Sequence, residues 1–359
     1  MRSRSYIWGI SAAALLLTLS LIGVEFAGGT RAYLQSAEPT PTPPIEEEDE
    51  VVKIDTEAVN VLFTAQDRNR RLVLTLEQSD IEVVENGRVQ EITAFAKQVD
   101  LPLSLAILID TSVSQERTLP VEKAAAITFL DTVVRPDRDE VAVVSFTGTA
   151  TLEQGMTSNL TRLRRAIDRV QFVPPSGYVG GGVVVGGGIP GTPSISRDQQ
   201  MMAGSTAIWD AIWVTSEEIL GPTAERTRRA IILLSDGDNT SGRKKLEDAV
   251  NAAQKAEAVI YSIGIGDNFI SGVDKGALTR ISERTGGRAY FPRDEGELRA
   301  AFSQIQEEMR SQYLVAYEPL DQARDGSYRT IEIRIVNPEL QKQKIELTHR
   351  RGYFAKTSQ

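Results

Sequence analysis

Apolar residues change their pattern twice along the chain. Between residues 51 and 98 they recur in short alternating runs: Val59, Val61 and Phe63, then Leu72, Val73 and Leu74, then Ile81, Val83 and Val84. A period of two marks half-buried strands. Asn86-Gly87, between two such runs, is a hairpin turn signal. This stretch predicts a small antiparallel β unit. From Leu101 the text differs. Leu103 to Ile109 is almost continuously apolar, which suits a strand covered on both faces. Helical periodicity follows over Val121 to Val134, a strand over Val141 to Phe146 and a helix over Leu160 to Val170. Further on come a helix (Thr206 to Leu220), a strand (Ala230 to Leu234), a helix (Leu246 to Ala256) and a strand (Val259 to Ile265). Lys275 to Arg284 reads as a helix and Ala289 to Phe291 as a short strand. Glu297 to Arg310 closes this region as a helix with Leu298, Phe302, Ile305 and Met309 on one face. Alternating strands and helices predict a doubly wound α/β fold, with a mainly parallel sheet covered on both sides.

After Gln312 the chain returns to strands: Tyr313 to Tyr317, Thr330 to Val336 and Ile345 to Thr348. Neither β segment has enough strands to be stable alone. Residues 51–98 and 311–355 are therefore expected to pair as one small antiparallel β domain, with the α/β domain, residues 101–310, inserted between them.

The N-terminus has a different character. Arg2 and Arg4 precede an uncharged stretch from Tyr6 to Val24, ended by Glu25. A spanning helix needs roughly 20 apolar residues, and a cleavable signal has a shorter core. This stretch lies between the two. Residues 1–29 read as a signal peptide, with Ala27 and Gly29 at cleavage spacing, or as a retained membrane anchor. Either reading exports the body of the protein to the periplasm, the cell surface or the medium, and contact with the membrane is limited to this segment if it stays uncleaved. Residues 30–50 form a linker, with Pro39, Pro41, Pro43 and Pro44 followed by the acidic run Glu46 to Glu50. Residues 174–203, with two Gly-Gly-Gly runs, read as a mobile surface loop. They lack the lysine and the following helix of a phosphate-binding loop.

Composition narrows the chemistry. Hydrophobic residues make up 41% of 359, enough for a sizeable core, and the net charge of −9 argues against a nucleic-acid surface. Cysteine is absent, which excludes disulfides, thiolate catalysis, cysteine zinc sites and a lipid anchor on cysteine. A single histidine, His349, rules out a multi-histidine metal site; it is expected to be a partly exposed strand residue.

Three segments place oxygen side chains at the ends of buried strands or the start of a helix. They are Asp110-Thr111-Ser112-Val113-Ser114, Gly204-Ser205-Thr206 and Ser235-Asp236-Gly237. In an open parallel sheet ligands bind at the carboxyl ends of the strands, where all three can meet. Alone, each serine or threonine is a helix cap and Asp236-Gly237 a turn; together they suit a hard cation. The hydroxyls of Ser112, Ser114 and Thr206 supply neutral oxygens, and Asp110 and Asp236 supply charge. The expected ion is magnesium, or manganese or calcium. Few charged ligands leave such an ion able to take a carboxylate from outside. Asp210, one helical turn after Thr206, is either a supporting partner of this site or a plain surface residue. Asp238 does not extend Asp236 into a calcium-binding loop, because the glycine such a loop needs at its sixth position is missing.

Residues 101 to about 310 resemble a von Willebrand factor type A domain. Asp110-x-Ser112-x-Ser114, Thr206 and Asp236-Gly237 match its metal-ion-dependent adhesion site at all five ligand positions, and Leu105 to Asp110 and Ile231 to Gly237 are similar in their flanking text. Asp80 to Gly87, continuing through Gln90, Ile92 and Phe95, and Gly352-Tyr353-Phe354 resemble a bacterial family known from Acidobacteria as von Willebrand factor A-related proteins. That resemblance implies cation-dependent protein binding without naming a partner. The expected function is an extracytoplasmic adhesion or recognition module that holds a protein partner through an Asp or Glu side chain. The alternatives are a scaffold subunit of an envelope assembly and, less favoured, a metal-dependent hydrolase. No general base beyond the ligand carboxylates and no Gly-x-Ser-x-Gly motif is present, so the chain is not expected to be an enzyme.

Overall fold

The computed structural model describes residues 58–97, 101–172, 174, 205–224, 227–266 and 272–357. These all belong to one compact unit, Asp55–Gln359. The expected signal or anchor, the linker and, Pro174 apart, the glycine-rich loop up to residue 203 lie outside the described residues.

Fourteen strands and seven α-helices are described. In chain order they begin with β1 (Val59–Gln66), β2 (Ile81–Glu85), β3 (Arg88–Gln90), β4 (Ile92–Ala96), β5 (Leu103–Asp110), α1 (Leu119–Val133), β6 (Glu140–Phe146), β7 (Ala150–Thr157) and α2 (Leu160–Arg169). There follow α3 (Ile208–Val214), β8 (Arg228–Ser235), α4 (Leu246–Lys255), β9 (Ala258–Gly264), α5 (Lys275–Thr285), β10 (Ala289–Tyr290) and α6 (Glu295–Arg310). The chain ends with β11 (Tyr313–Tyr317), β12 (Tyr328–Ile335), α7 (Pro338–Lys342), β13 (Glu346–His349) and β14 (Gly352–Phe354).

The central sheet has the order β10-β9-β8-β5-β6-β7, parallel throughout except for β7. Every residue of β5 is buried, and alternation explains the unbroken apolar run. Leu103, Leu105, Ile107 and Ile109 face a core built with α1, α2 and α6. Ala106 and Leu108 face the opposite core, built with α3, α4 and α5. The chain leaves β5 for β6 and β7 on one side and returns to β8 on the other. Brought to the same end of the sheet, the carboxyl ends of β5 and β8 therefore flank a topological switch point.

The outer β segments pair with each other. Strand β1 lies antiparallel to β11 and β13, and β11 to β4, forming one four-stranded sheet. Strand β12 lies antiparallel to β2 and β14, and β2 to β3, forming a second. Val61, Phe63, Tyr313 and Val315 from one sheet and Val83, Ile331 and Ile333 from the other share a core, so the two sheets form a sandwich. Asn86 and Gly87, both at positive φ, make the two-residue turn between β2 and β3.

Three local expectations need correction. Leu72–Leu74 is not a strand: Leu72 forms a single bridge with Gln66, and Val73 N donates to Ala65 O at 2.8 Å. Asp67 Oδ1 accepts from Asn69 N and Arg71 N, and this tight turn folds the segment back before a ladder can form. Strand β7, which closes the edge of the central sheet, was not expected, because its half-exposed polar text carries little periodic signal. His349 is buried (3% exposed) rather than partly exposed. Its Nε2 accepts from Ile333 N at 3.2 Å and its Nδ1 faces Arg350 O at 2.7 Å. These partners fit the neutral ring with the proton on Nδ1, and burial pushes its pKa down.

Candidate metal centre

The site grows from the ends of two adjacent strands. Asp110 is the last residue of β5, and Ser235 the last of β8. Ser235 Oγ donates to Asp110 Oδ2 at 2.6 Å, and Ser112 N donates to Asp110 Oδ1 at 2.9 Å. Those two bonds fix the Asp110 carboxylate. Thr111 anchors the start of the loop to β6, both its N and its Oγ1 donating to Phe146 O. The loop then enters a short 3-10 turn, Val113–Gln115. This brings the Ser112 and Ser114 hydroxyls to 3.1 Å from each other.

Asp236 follows Ser235 directly. Asp238 N donates to Asp236 Oδ1 at 3.0 Å, and the nearby Ser114 hydroxyl eases the burial of this carboxylate. Gly237 has φ +84°, and a Cβ there would come within 2.8 Å of Leu278 Cγ. The turn after Asp236 therefore needs glycine.

Thr206 is tied through its main chain to the segment that follows Asp236. Its N donates to Thr240 Oγ1 at 2.8 Å, and its carbonyl accepts from Thr240 N and Ser241 N, both at 3.0 Å. Ala207 N donates to Thr147 O at 2.8 Å, and Trp209 N to Asn239 Oδ1 at 3.2 Å. The segment after Asp236 thus clamps the start of α3. Asp210 belongs to that clamp: its carboxylate accepts from Arg243 N at 2.9 Å and Lys244 N at 3.0 Å. Gly242, at φ +103°, lies so close that a Cβ would meet Asp210 Oδ2 at 2.2 Å. Asp210 is a supporting residue of the loop rather than a plain surface residue.

Of the five residues singled out, Asp110, Ser112, Ser114 and Asp236 are joined by hydrogen bonds or by their mutual electrostatics. Thr206 is tied to the same loop through its backbone. Ser235, Asn239, Thr240 and Thr147 are supporting residues that the sequence pattern did not single out. Ser235 stood in the quoted motif, and its place directly before Asp236 was the only available signal.

Among the described residues, no positive charge stands among the main influences on Asp110 or Asp236. Burial pushes the Asp110 pKa up to about 7, and the neighbouring Asp236 charge adds to the rise. Hydrogen bonds from Ser235 and Ser112 only partly offset it. The Asp236 carboxyl is raised as well, chiefly by burial. Two buried carboxylates served by hydroxyls and amides, with hydroxyl oxygens left to share, fit a small hard cation. Asp110, Ser112 and Asp236 are buried, whereas Ser114 is half-buried, so solvent meets the group on the Ser114 side.

Two family models of the von Willebrand factor type A domain match the chain, one over residues 105–239 and the other over residues 194–304. The chain carries a von Willebrand factor type A domain. A structure of proximal thread matrix protein 1 from the mussel byssus is 22% identical, with a TM-score of 0.45 over 63% of this chain and 51% of that one. The same protein with a zinc-occupied MIDAS motif is also 22% identical, with a TM-score of 0.45 over 62% of this chain and 49% of that one. This chain thus spans about half the length of that protein. The conserved hypothetical protein BatB from Bacteroides thetaiotaomicron is 17% identical, with a TM-score of 0.41 over 59% of this chain and all of that one. No curated protein sequence matches the chain.

Proposed function

We propose that the von Willebrand factor type A domain binds one divalent cation at the ends of β5 and β8 and uses it to hold a protein partner. The observation that carries this reading is the buried pair Asp110 and Asp236, which shares its surroundings with the hydroxyls of Ser112 and Ser114 and has its charge opposed by burial. Asp110, Ser112, Ser114, Thr206 and Asp236 would hold the ion. A bound cation supplies a Lewis-acidic position that accepts a carboxylate oxygen from outside. The chain's own residues do the rest. Ser235 and Ser112 N orient Asp110, Asp238 N orients Asp236, and the Thr240-Ser241 segment holds the backbone of Thr206.

Magnesium is the ion we favour, because the set combines few carboxylates with several neutral oxygens. The partner would present an aspartate or glutamate. An N-terminal segment that exports the chain would place this recognition outside the cytoplasm, as an adhesion or recognition module without catalytic activity. Among the described residues no helix is long and apolar enough to cross a membrane.

The test is a calorimetric titration of the purified protein with Mg2+ and Mn2+, beside Asp110→Ala. The expected result is one ion per chain for the wild type and none for the variant, with the circular dichroism of both unchanged. Absence of binding to the wild type refutes the reading.

A further inference from the structure

A third carboxylate lies behind the ligand loop. Glu122 sits in the first turn of α1 and is fully buried, at 0% exposure. Neither of its carboxylate oxygens has a hydrogen-bond partner within normal geometry. The nearby Thr118 hydroxyl eases its burial, yet that hydroxyl is engaged elsewhere, donating to Gln115 Oε1 at 2.7 Å. Gln115 is itself buried and donates from Nε2 to Ile265 O at 3.1 Å, with Ser114 Oγ at 3.5 Å. A polar chain therefore runs from Ser114 through Gln115 to Thr118, whose carbonyl accepts from Glu122 N at 3.0 Å, and stops one helical turn short of the Glu122 carboxylate.

The charges that act on Glu122 are those of Asp110 and Asp236, both negative, and burial raises its pKa to about 8. A buried carboxyl without a partner lowers stability, and leucine, methionine or glutamine at this place in a helix would fold with less penalty. Its burial beside two other acids makes sense if a positive charge completes the group. The three carboxylates do not form a ligand set by themselves: among the described residues no cluster of three His, Cys, Asp or Glu side chains could hold a metal ion. Glu122 is thus placed to act on an ion through the low-dielectric interior rather than by touching it.

We propose that Glu122 is the buried counter-charge of the cation site, a positioning residue that does not ligate the ion but strengthens its binding. The inference rests on the cation-binding reading above. It assigns α1 a part in metal affinity that its sequence, an amphipathic helix with a glutamate in its first turn, does not announce.

The test uses the full chain and the Glu122→Gln variant, with Glu122→Met as a second variant close in size. Mn2+ binding is measured by calorimetry, and thermal melting is followed in the presence of chelator. The expected result is that both variants melt higher than the wild type in chelator and bind Mn2+ about tenfold more weakly or worse, in line with loss of a nearby opposite charge. A purely structural glutamate would change melting and leave Mn2+ affinity alone, so equal affinity in the wild type and either folded variant overturns the proposal while the cation site stands. Lower melting of both variants in chelator overturns it too. No Mn2+ binding to the wild type overturns the cation site, and this inference with it.

Discussion

Replacing Asp110 by asparagine removes a charge and keeps the shape. The oxygen of asparagine can still accept from Ser112 N, and the Ser235 hydroxyl can turn to accept from the amide. The effect on stability can be worked from the site. Asp110 is raised from an ordinary 3.8 to about 7. The folded protein therefore keeps a proton over a range in which the unfolded chain has lost it. Metal-free stability falls as pH rises from about 4 to about 7 and levels off above that. At about 1.36 kcal/mol per pK unit, the penalty at pH 8 is about 4 kcal/mol, and at pH 5 about 1.7 kcal/mol. Asparagine has no such penalty at either pH. Any fixed cost of the amide cancels when the two pH values are compared, so Asp110→Asn should gain about 2.5 kcal/mol on the wild type between pH 5 and pH 8. The repulsion from Asp236 is already part of this figure, since it contributes to the raised pKa. The assay is urea unfolding of both proteins at the two pH values with chelator present. The advantage should vanish or reverse when Mg2+ is added, since only the wild type is then stabilised by binding. A difference between the proteins that does not change with pH would refute the account of Asp110 as a buried, uncompensated charge.

Three further outcomes follow from the same geometry. Asp210→Ala frees Arg243 N and Lys244 N and should weaken Mn2+ binding severalfold through the loosened Thr206 loop, at a stability cost of about 1 kcal/mol; calorimetry and urea unfolding read both. Glu308→Ala should cost about 3 kcal/mol in urea unfolding. That buried carboxylate accepts from Gln66 Nε2 at 2.8 Å and Tyr290 OH at 2.9 Å and faces Arg288, so it joins α6 to β1 of the sandwich. Gly286→Ala should cost about 2 kcal/mol, because this residue closes α5 at φ +90° and a Cβ would meet Arg350 N at 2.5 Å; a melting temperature within a degree of the wild type would count against it.

The sequence by itself determined the element types wherever one residue's neighbours along the chain also share its environment. The β5 run could be read as a doubly covered strand because its odd and even residues fill two cores of the same character. Helix α6 announced its apolar face, and Leu298, Phe302, Ile305 and Met309 are all buried. The candidate ligand set was drawn from the sequence for a related reason. Hydroxyl and carboxylate residues directly after buried strands have few local roles, so their joint occurrence carried the signal.

Tertiary structure decided what depends on which segments meet. Strand β7 is half-exposed and polar, and only its pairing with β6 makes it a strand. Leu72–Leu74 had the composition of a strand and lost it to a turn closed by Asp67. His349 looked like an edge residue until Ile333 N, sixteen positions away, came to its ring. The Thr206 clamp joins residues thirty or more positions apart. Glu122 is the sharpest case. In the sequence it is an acid in the first turn of a helix, where the helix dipole favours negative charge and solvent is the expected surrounding. Periodicity along a chain says which residues share a face, but not what covers that face. Whether a carboxylate ends in water or beside two others is fixed only when the sheet brings β5, β8 and α1 together.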